Sequence, residues 1–285
     1  MTEQPDIDAV VFSGGAKCFW QAGFWEAVRS ALPSPTAVSA VSGGAAIAAV
    51  LFAGGWSRFF AKFLELASSN ERNVHLRNLL RRHPVFPHPG ISRESFLHSV
   101  SARALGVLQA GPDFRIVISH PPRALGARLG ALLAVAAEEM EKRLTGRTIS
   151  NWVRHLGFRS SIVRARECDT PEALVHAVLQ SSSAPPMFPI TRRNGRAALD
   201  GALIDYVPLG AVADCQRPLV LLSRPERHLP AGGREVYACP SEPVPVSTWD
   251  FSSPDRVVET FELGRHDGAR FRERLGIGGV GSSLW

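Results

Sequence analysis

Three short stretches of this chain hold the residue types from which an acyl-transfer site can be built. The first is Ala40-Val41-Ser42-Gly43-Gly44, a serine between one short apolar run and a second of helical length. A serine at a strand-to-helix corner needs very small residues two places before and after it, because the backbone turns tightly there; the usual pattern is G-x-S-x-G. Alanine takes the first small position here. Such a corner presents the hydroxyl and aims a helix N-terminus at it, where negative charge is favoured. A serine in a buried Gly/Ala-rich turn satisfies the same five letters, so the pentapeptide alone supports both readings equally. The second stretch is Ser13-Gly14-Gly15-Ala16-Lys17, whose successive N–H groups suit an oxyanion or a phosphate. As a nucleotide loop it fails, because neither G-x-x-x-x-G-K-[ST] nor G-x-G-x-x-G fits it. The latter spacing occurs only at Gly276, Gly278 and Gly281, with no helical pattern after it. The third is Asp200-Gly201, at the end of an apolar run. A serine needs a base, and a positioned carboxylate contributes roughly a hundred- to ten-thousand-fold. Aspartate before glycine is also a common turn; Asp267-Gly268, within the charged run 265–270, reads that way.

The elements that position these residues follow from periodicity and punctuation. Asp8 to Phe12 is a buried strand closed by Ser13-Gly14-Gly15. Trp20, Phe24, Ala27, Val28 and Ala31 fall on one face of a following helix, which Pro33-Ser34-Pro35 ends. Ala37 to Val41 is a second strand and Gly43 to Phe52 a second helix, which makes a βαβ unit with a parallel pair. Trp56 to Leu80 reads as helical and 83–90 as a proline-rich loop. Phe114 to Ser119 and Ser160 to Arg166 read as strands, and Ala124 to Leu144 as a long helix. Thr170-Pro171 caps a further helix. Asn194-Gly195 marks a hairpin, and Leu219 to Ser223 is one more strand.

Composition narrows the classes. The 285 residues are 45% apolar and 20% charged, which suits one large domain and excludes a disordered chain. No linker divides it, so it is taken as a single domain over 1–285. The net charge of +6 is carried almost entirely by arginine, since lysine occurs only at Lys17, Lys62 and Lys142. It is scattered, and no nucleic-acid-binding motif accompanies it, so no nucleic-acid partner is expected. The four cysteines form no CxxC pair and no zinc spacing. Free thiols, and an N-terminus without the basic and apolar regions of a signal peptide, lead us to expect a cytoplasmic protein. The uncharged stretch 36–57 is long enough to cross a bilayer, but paired glycines interrupt it; a strand, a turn and a helix are expected there.

In their order along the chain, the three stretches resemble the patatin-like phospholipase family. Its pattern is a glycine-rich oxyanion turn with a following Lys/Arg, a G-x-S-x-G elbow and a D-G-[GA] aspartate. Here these are Ser13 to Cys18, Ala40 to Gly44, and Asp200-Gly201-Ala202. Ser182 to Pro189 is similar to the family's A-S-x-A-x-P-x-x-F segment, and Pro208 falls where proline is common. The likeness covers a core over 7–209, is thin between Trp56 and Arg166, and leaves 210–285 as a C-terminal extension. It implies a three-layer α/β/α fold with a mainly parallel central sheet, and a lipid acyl hydrolase of phospholipase A or lysophospholipase type. It also implies a Ser42–Asp200 dyad without histidine. Gly14, Gly15 and Ala16 would hold the oxyanion with Lys17 beside them, and neither metal nor cofactor would take part. The partners implied are a lipid or acyl ester and, peripherally, a membrane surface; Phe19, Trp20, Phe24 and Phe188 are expected to line an acyl groove.

Ser13, Cys18 and Ala40 depart from the pattern, as does Asp205-Tyr206-Val207 before Pro208. A positive φ at Cys18 would strain it. Two other readings compete. A Ser-His-Asp hydrolase would use His228 or His266 after Asp200. A catalytically weak membrane-binding protein would use Trp56, Phe59, Phe60 and Phe63 near Arg58, with the helix over 124–144, although an aromatic stripe at helical spacing usually faces a core.

Overall fold

Two short, mostly apolar strands begin the sheet. A computed structural model of the chain describes residues 6–81, 83–126, 129–130, 132, 156–226, 229 and 233–274. Strand β1 (Ala9–Phe12) and β2 (Ala37–Val41) are buried along their whole length, as central strands of a parallel sheet should be, with the one polar side chain, Ser39, donating to the Pro208 carbonyl at 2.9 Å. Helix α1 (Phe19–Val28) connects them, and α2 (Ser42–Phe52) leaves the end of β2. Thus 36–57 is a strand, a sharp turn and a helix. Among the described residues no helix is long and apolar enough to cross a membrane.

Four helices follow: α3 (Trp56–Ser68), the single turn α4 (Asn78–Arg81), α5 (His88–Ser99) and α6 (Ala102–Ala110). The helical pattern expected over 56–80 breaks after Ser68, and the expected proline-rich loop gives way to α5 at His88, where Pro89 occupies a first-turn position that tolerates a missing N–H. Strand β3 (Asp113–His120) then pairs with β2, and β4 (Arg159–Arg164) runs antiparallel to β3. The helix expected over 124–144 lies largely outside the described residues. Helix α7 (Pro171–Ser181) opens as its sequence dictates: Thr170 accepts a hydrogen bond from the Ala173 N–H at 3.2 Å, and Pro171 stands in the first turn. The hairpin of β5 (Thr191–Arg193) and β6 (Arg196–Ala198) turns at Asn194 and Gly195, with φ 49° and 73°. Strand β7 (Pro218–Leu221), β8 (Val236–Ala238) and the helix α8 (Pro254–Arg274) complete the described residues.

The main sheet runs β4-β3-β2-β1-β7-β8, parallel except at β4. Alternate side chains separate its two faces. Val10, Phe12 and Val38 point into the large core shared with α1, α2, α3 and α7. Ala9, Val11 and Val220 pack instead against Tyr206, Val207 and Val212. That side is built by the segment 201–215, whose regular pieces are the short 3₁₀ turns Gly201–Leu203 and Leu209–Val212. The result is the three-layer α/β/α architecture around a mainly parallel sheet.

The periodicity of α1 suggests one apolar face, yet seven of its first seven residues, Phe19 to Trp25, are buried. The second cover is α8. Asp267-Gly268 is therefore not a turn: Asp267 is buried mid-helix, accepting hydrogen bonds from Trp20 Nε1 at 2.8 Å and the Ser241 N–H at 3.0 Å. Gly23 and Gly264 let the two backbones touch. A Cβ at Gly264 would meet the Trp20 carbonyl oxygen at 2.1 Å, and one at Gly23 would meet that of Phe261 at 1.9 Å. The aromatic stripe of α3 is core as well: Trp56, Phe59 and Phe63 are buried, and Trp56 stacks on Phe261 of α8 at 5.4 Å.

Neither carbonyl can move without breaking its helix, so Gly264→Ala should lower stability by about 1–3 kcal/mol, the usual cost of overpacking. Urea unfolding monitored by tryptophan fluorescence reads this; an unchanged midpoint would mean that α8 does not seat on α1 in this way.

Candidate active site

Ser42 stands where β2 ends and α2 begins. Its φ is 54°, a left-handed value that is rare for a residue with a side chain and costs roughly 1–3 kcal/mol. The corner is tight because two neighbouring turns press on it: a Cβ on Gly43 would meet the Gly15 carbonyl oxygen at 2.5 Å, and one on Gly44 would meet that of Ser13 at 2.2 Å. The Ser42 N–H donates to Ser181 Oγ at 2.8 Å, and the Ser181 hydroxyl donates to the Val117 carbonyl at 2.6 Å. Helix α7 and strand β3 are thereby tied to the corner.

Asp200 arrives from a different direction and meets it. Leu199 pairs with Ser119 of β3 through two backbone hydrogen bonds of 2.9 and 3.1 Å, which brings the next residue to the C-terminal end of β3. Since β3 neighbours β2, with Val117 opposite Val41, the two side chains meet above adjacent strand ends. The Ser42 hydroxyl donates to Asp200 Oδ2 at 2.7 Å. The other carboxylate oxygen accepts the Ala202 N–H at 2.9 Å, and the Ser119 hydroxyl donates to the Asp200 carbonyl at 2.8 Å. Both partners are 7% exposed. Sites at the carboxyl ends of parallel strands are the rule for open α/β sheets.

The glycine-rich turn lies against the same corner, but its residues divide. The Gly14 N–H, expected to face an oxyanion, donates to the Tyr206 carbonyl at 3.2 Å, and Gly14 does not line the cavity. It is spent on holding 201–208 against β1. Gly15 and Lys17 do line the cavity, and Ala16 begins the 3₁₀ turn Ala16–Cys18 between them. Gly43, at the N-terminus of α2, lines it too. Cys18 has φ −67°, so the strain expected there does not arise. Burial pushes its thiol up to about 12, which keeps it protonated and unreactive.

The cavity above Ser42 and Asp200 holds about 510 Å³, a size that suits a ligand largely enclosed by protein. Its wall is mostly apolar, with Ile47, Phe59, Phe96, Leu179 and Phe251 among its members. Phe19 and Phe188 line it as expected. Trp20 and Phe24 do not, because they occupy the face of α1 turned to α8; Phe24 borders a separate cleft with Arg270 and Arg274. Among the described residues no histidine lines the cavity. His266 is exposed on α8, and His228 lies outside the described residues. Nor does any group of three or more His, Cys, Asp or Glu side chains among the described residues stand close enough to hold a metal ion.

The family model described as patatin-like phospholipase matches residues 10–213, from β1 through the elbow and the aspartate. The chain belongs to the patatin-like phospholipase family. Lipid acyl hydrolysis is the activity this membership indicates. A comparison with curated proteins gives no match. The family match ends before β7, β8 and α8, so the α1–α8 interface lies partly beyond it.

Several contributors were not singled out from sequence. Ser181 and Ser119 orient the pair, yet nothing distinguishes them from other serines until β3 and α7 are placed. Ser223 and Arg224, just after β7, line the cavity; the Arg224 guanidinium sits 4.3 Å from the Tyr206 ring centre, and the Ser223 hydroxyl donates to the Gly14 carbonyl at 2.6 Å. Removing the Ser181 hydroxyl leaves the Ser42 N–H and the Val117 carbonyl without that partner. Ser181→Ala should therefore destabilise the fold by about 1–3 kcal/mol. Chemical denaturation measures this, and a loss below 0.3 kcal/mol (roughly the scatter between independent surface changes) would show that the corner is held by other means.

His88 backs the cavity wall, with its ring centre 4.6 Å from that of Phe251 and 6.3 Å from that of Phe188. One ring nitrogen, Nε2, bonds the Trp249 carbonyl at 2.9 Å, while the buried Nδ1 has no partner among the described residues. Burial holds the His88 pKa below its ordinary value, against smaller opposing effects of the Trp249 carbonyl and Asp250. Burial lowers that of His120 likewise. A lowered folded pKa means that the unfolded chain takes up the proton first. Stability is then full above about pH 6.5 and declines as pH falls from there to the folded pKa. His88→Gln should flatten part of this decline in urea midpoints between pH 7 and 5, with His120 supplying the rest; an unaltered slope would count against a neutral, buried His88.

Proposed function

We propose that the protein hydrolyses acyl esters of lipids through a Ser42–Asp200 dyad and a covalent acyl-enzyme. The observation that carries this is the 2.7 Å hydrogen bond between the Ser42 hydroxyl and the Asp200 carboxylate on the floor of an apolar cavity. The acyl chain lies along the apolar wall, which leaves the ester carbonyl over Ser42. The Ser42 oxygen attacks the carbonyl carbon as its proton passes to Asp200. Negative charge then develops on the carbonyl oxygen. The N–H groups of Gly15, Ala16 and Gly43, at the turn and at the N-terminus of α2, are the donors we assign to it; Lys17 adds positive charge beside them. Collapse breaks the ester C–O bond, and Asp200 returns the proton to the departing alcohol. Water next attacks the acyl-serine and gives its proton to Asp200; the acyl–Oγ bond then breaks, Asp200 passes the proton to Ser42 Oγ, and the carboxylic acid leaves with the dyad restored.

A Ser-His-Asp triad finds no support in the cavity, which no described histidine lines. A purely lipid-binding role does not account for a left-handed serine bonded to a carboxylate. The deciding experiment labels the protein with a fluorophosphonate and locates the adduct by mass spectrometry. Ser42 should carry it, and Ser42→Ala should abolish both the adduct and turnover of a nitrophenyl ester. Asp200→Asn should lower kcat/KM by roughly a hundred- to ten-thousand-fold. An adduct elsewhere, or wild-type turnover by Asp200→Asn, would refute the dyad.

A further inference from the structure

The loop between α3 and α5 is built inside out. Its polar residues turn inward: Asn70 Nδ2 donates to the Phe251 carbonyl at 3.0 Å, the Asn73 side-chain carbonyl accepts the Phe251 N–H at 2.7 Å, and Asn78 Nδ2 donates to the Pro84 carbonyl at 2.8 Å. His75 bonds Asn70 through its ring at 3.0 Å and Val85 through its backbone at 2.8 Å. Four of its apolar residues, over 74–80, face out. Leu76 is 67% exposed, Leu79 66% and Leu80 91%, with Val74 at 43%. Such exposure, held by ordered hydrogen bonds on the opposite side, marks an interaction surface. Its charge is one-sided: between 69 and 90 there are four arginines, Arg72, Arg77, Arg81 and Arg82, against the single acid Glu71. Arg72 and Arg77 are exposed.

We infer that residues 71–80 are a membrane-docking strip, which inserts Leu76, Leu79 and Leu80 into an anionic lipid surface while Arg72 and Arg77 meet its headgroups. Two observations choose this occupant. Leucines interleaved with arginines match the apolar interior and negative headgroups of such a surface, each in its own layer. The strip is also continuous with the cavity wall, because Asn70 and Asn73 clasp Phe251, which lines the cavity. Docking there holds the cavity at the interface from which a lipid would enter. The inference deepens the lipid-hydrolase reading and rests on it for its purpose, but the binding itself is measurable without turnover.

The test is sedimentation of the full chain with vesicles of phosphatidylcholine, alone or with phosphatidylglycerol. Wild type should sediment with the mixed vesicles more than with the neutral ones, and less as salt rises. Leu79→Ser/Leu80→Ser should lower its partition at least about tenfold, since each buried leucine contributes that order. Arg72→Gln/Arg77→Gln should weaken binding to the mixed vesicles and flatten the salt dependence. Unchanged urea midpoints check that both variants fold. Equal or absent binding of wild type to the two vesicle types would overturn the proposal. So would wild-type binding by the leucine variant, or a leucine effect confined to self-association in sedimentation velocity, which would assign the strip to a protein contact. Turnover of a soluble nitrophenyl ester by wild type tests the hydrolase separately: leucine-dependent docking without turnover would sustain the strip and sink the dyad.

Discussion

The left-handed backbone at Ser42 is the constraint around which the rest is arranged. A residue with a side chain does not hold φ 54° without enforcement. Strand β2 fixes the chain before it and α2 the chain after it, while Ser181 holds its N–H. The approach of the Ser13–Gly15 turn then closes off any relaxation, because its carbonyls occupy the space beside Gly43 and Gly44. The strain thus persists as a property of several elements together: β2 and α2 on either side, the turn that ends β1, and α7, which Ser181 ties to β3. Its effect is to lift the hydroxyl clear of the helix and toward a carboxylate borne by a strand-like segment 158 residues further along the chain.

That carboxylate is positioned as firmly as the serine. Asp200 is bound through its amide, its carbonyl and both side-chain oxygens, and Gly201 is the residue that lets this happen. A Cβ on Gly201 would meet the Val117 carbonyl oxygen at 2.2 Å and Val41 Cγ2 at 2.4 Å. The D-G pair is therefore a packing requirement as much as a turn preference: the segment must graze both β2 and β3 for its aspartate to reach Ser42. The same close approach explains why Gly14 is not exposed to the cavity. Its N–H joins the segment 201–208 to β1, so one glycine of the turn serves the frame and the next faces the ligand space.

Much of this was legible in the sequence, for reasons that differ by element. The β1 and β2 runs are short, mostly apolar and followed closely by paired glycines, which also decide against a membrane span over 36–57. The Thr170-Pro171 start and the Asn194-Gly195 turn are local chemistry, decided within four residues. The pairing of Ser42 with Asp200 could be anticipated only through order and resemblance, since the geometry depends on a bridge between Leu199 and Ser119 that leaves no mark in the sequence. Helix α8 was hidden for another reason. Its charged exterior and the pair Asp267-Gly268 imitate a turn; the buried indole of Trp20 shows why an aspartate belongs in mid-helix, and Ala27 and the Phe24 carbonyl, each 2.8 Å from where a Cβ would be, show why glycine follows it. The break after Ser68 and the outward leucines of 74–80 escape a helical reading of 56–80, because the periodicity of apolar residues does not state which side faces water.

The departures from the family pattern are compensated one by one, and each compensation is local. Ser13, where the pattern has glycine, is fully buried and accepts hydrogen bonds from the Ser223 N–H and Gln21 Nε2, both at 3.1 Å. Its hydroxyl thereby joins the end of β1 to the residue that follows β7. Cys18, at the last glycine position, lies in ordinary right-handed helical conformation and needs no glycine. Ala40 is wholly buried within β2, opposite Phe12 of β1 and Ile116 of β3, where a methyl group fills space that glycine would leave empty. Tyr206, in the stretch before Pro208, supplies the carbonyl for Gly14 and a hydroxyl 2.8 Å from Ser223 Oγ. Three of these four substitutions thus tighten the frame behind the cavity, and none takes the place of the serine, the aspartate or the small residues that press on them. The pattern's glycines are replaced where φ is negative, as at Ser13, Cys18 and Ala40; they stand where a carbonyl oxygen lies 2.2 Å from where a Cβ would be, as at Gly44 and Gly201.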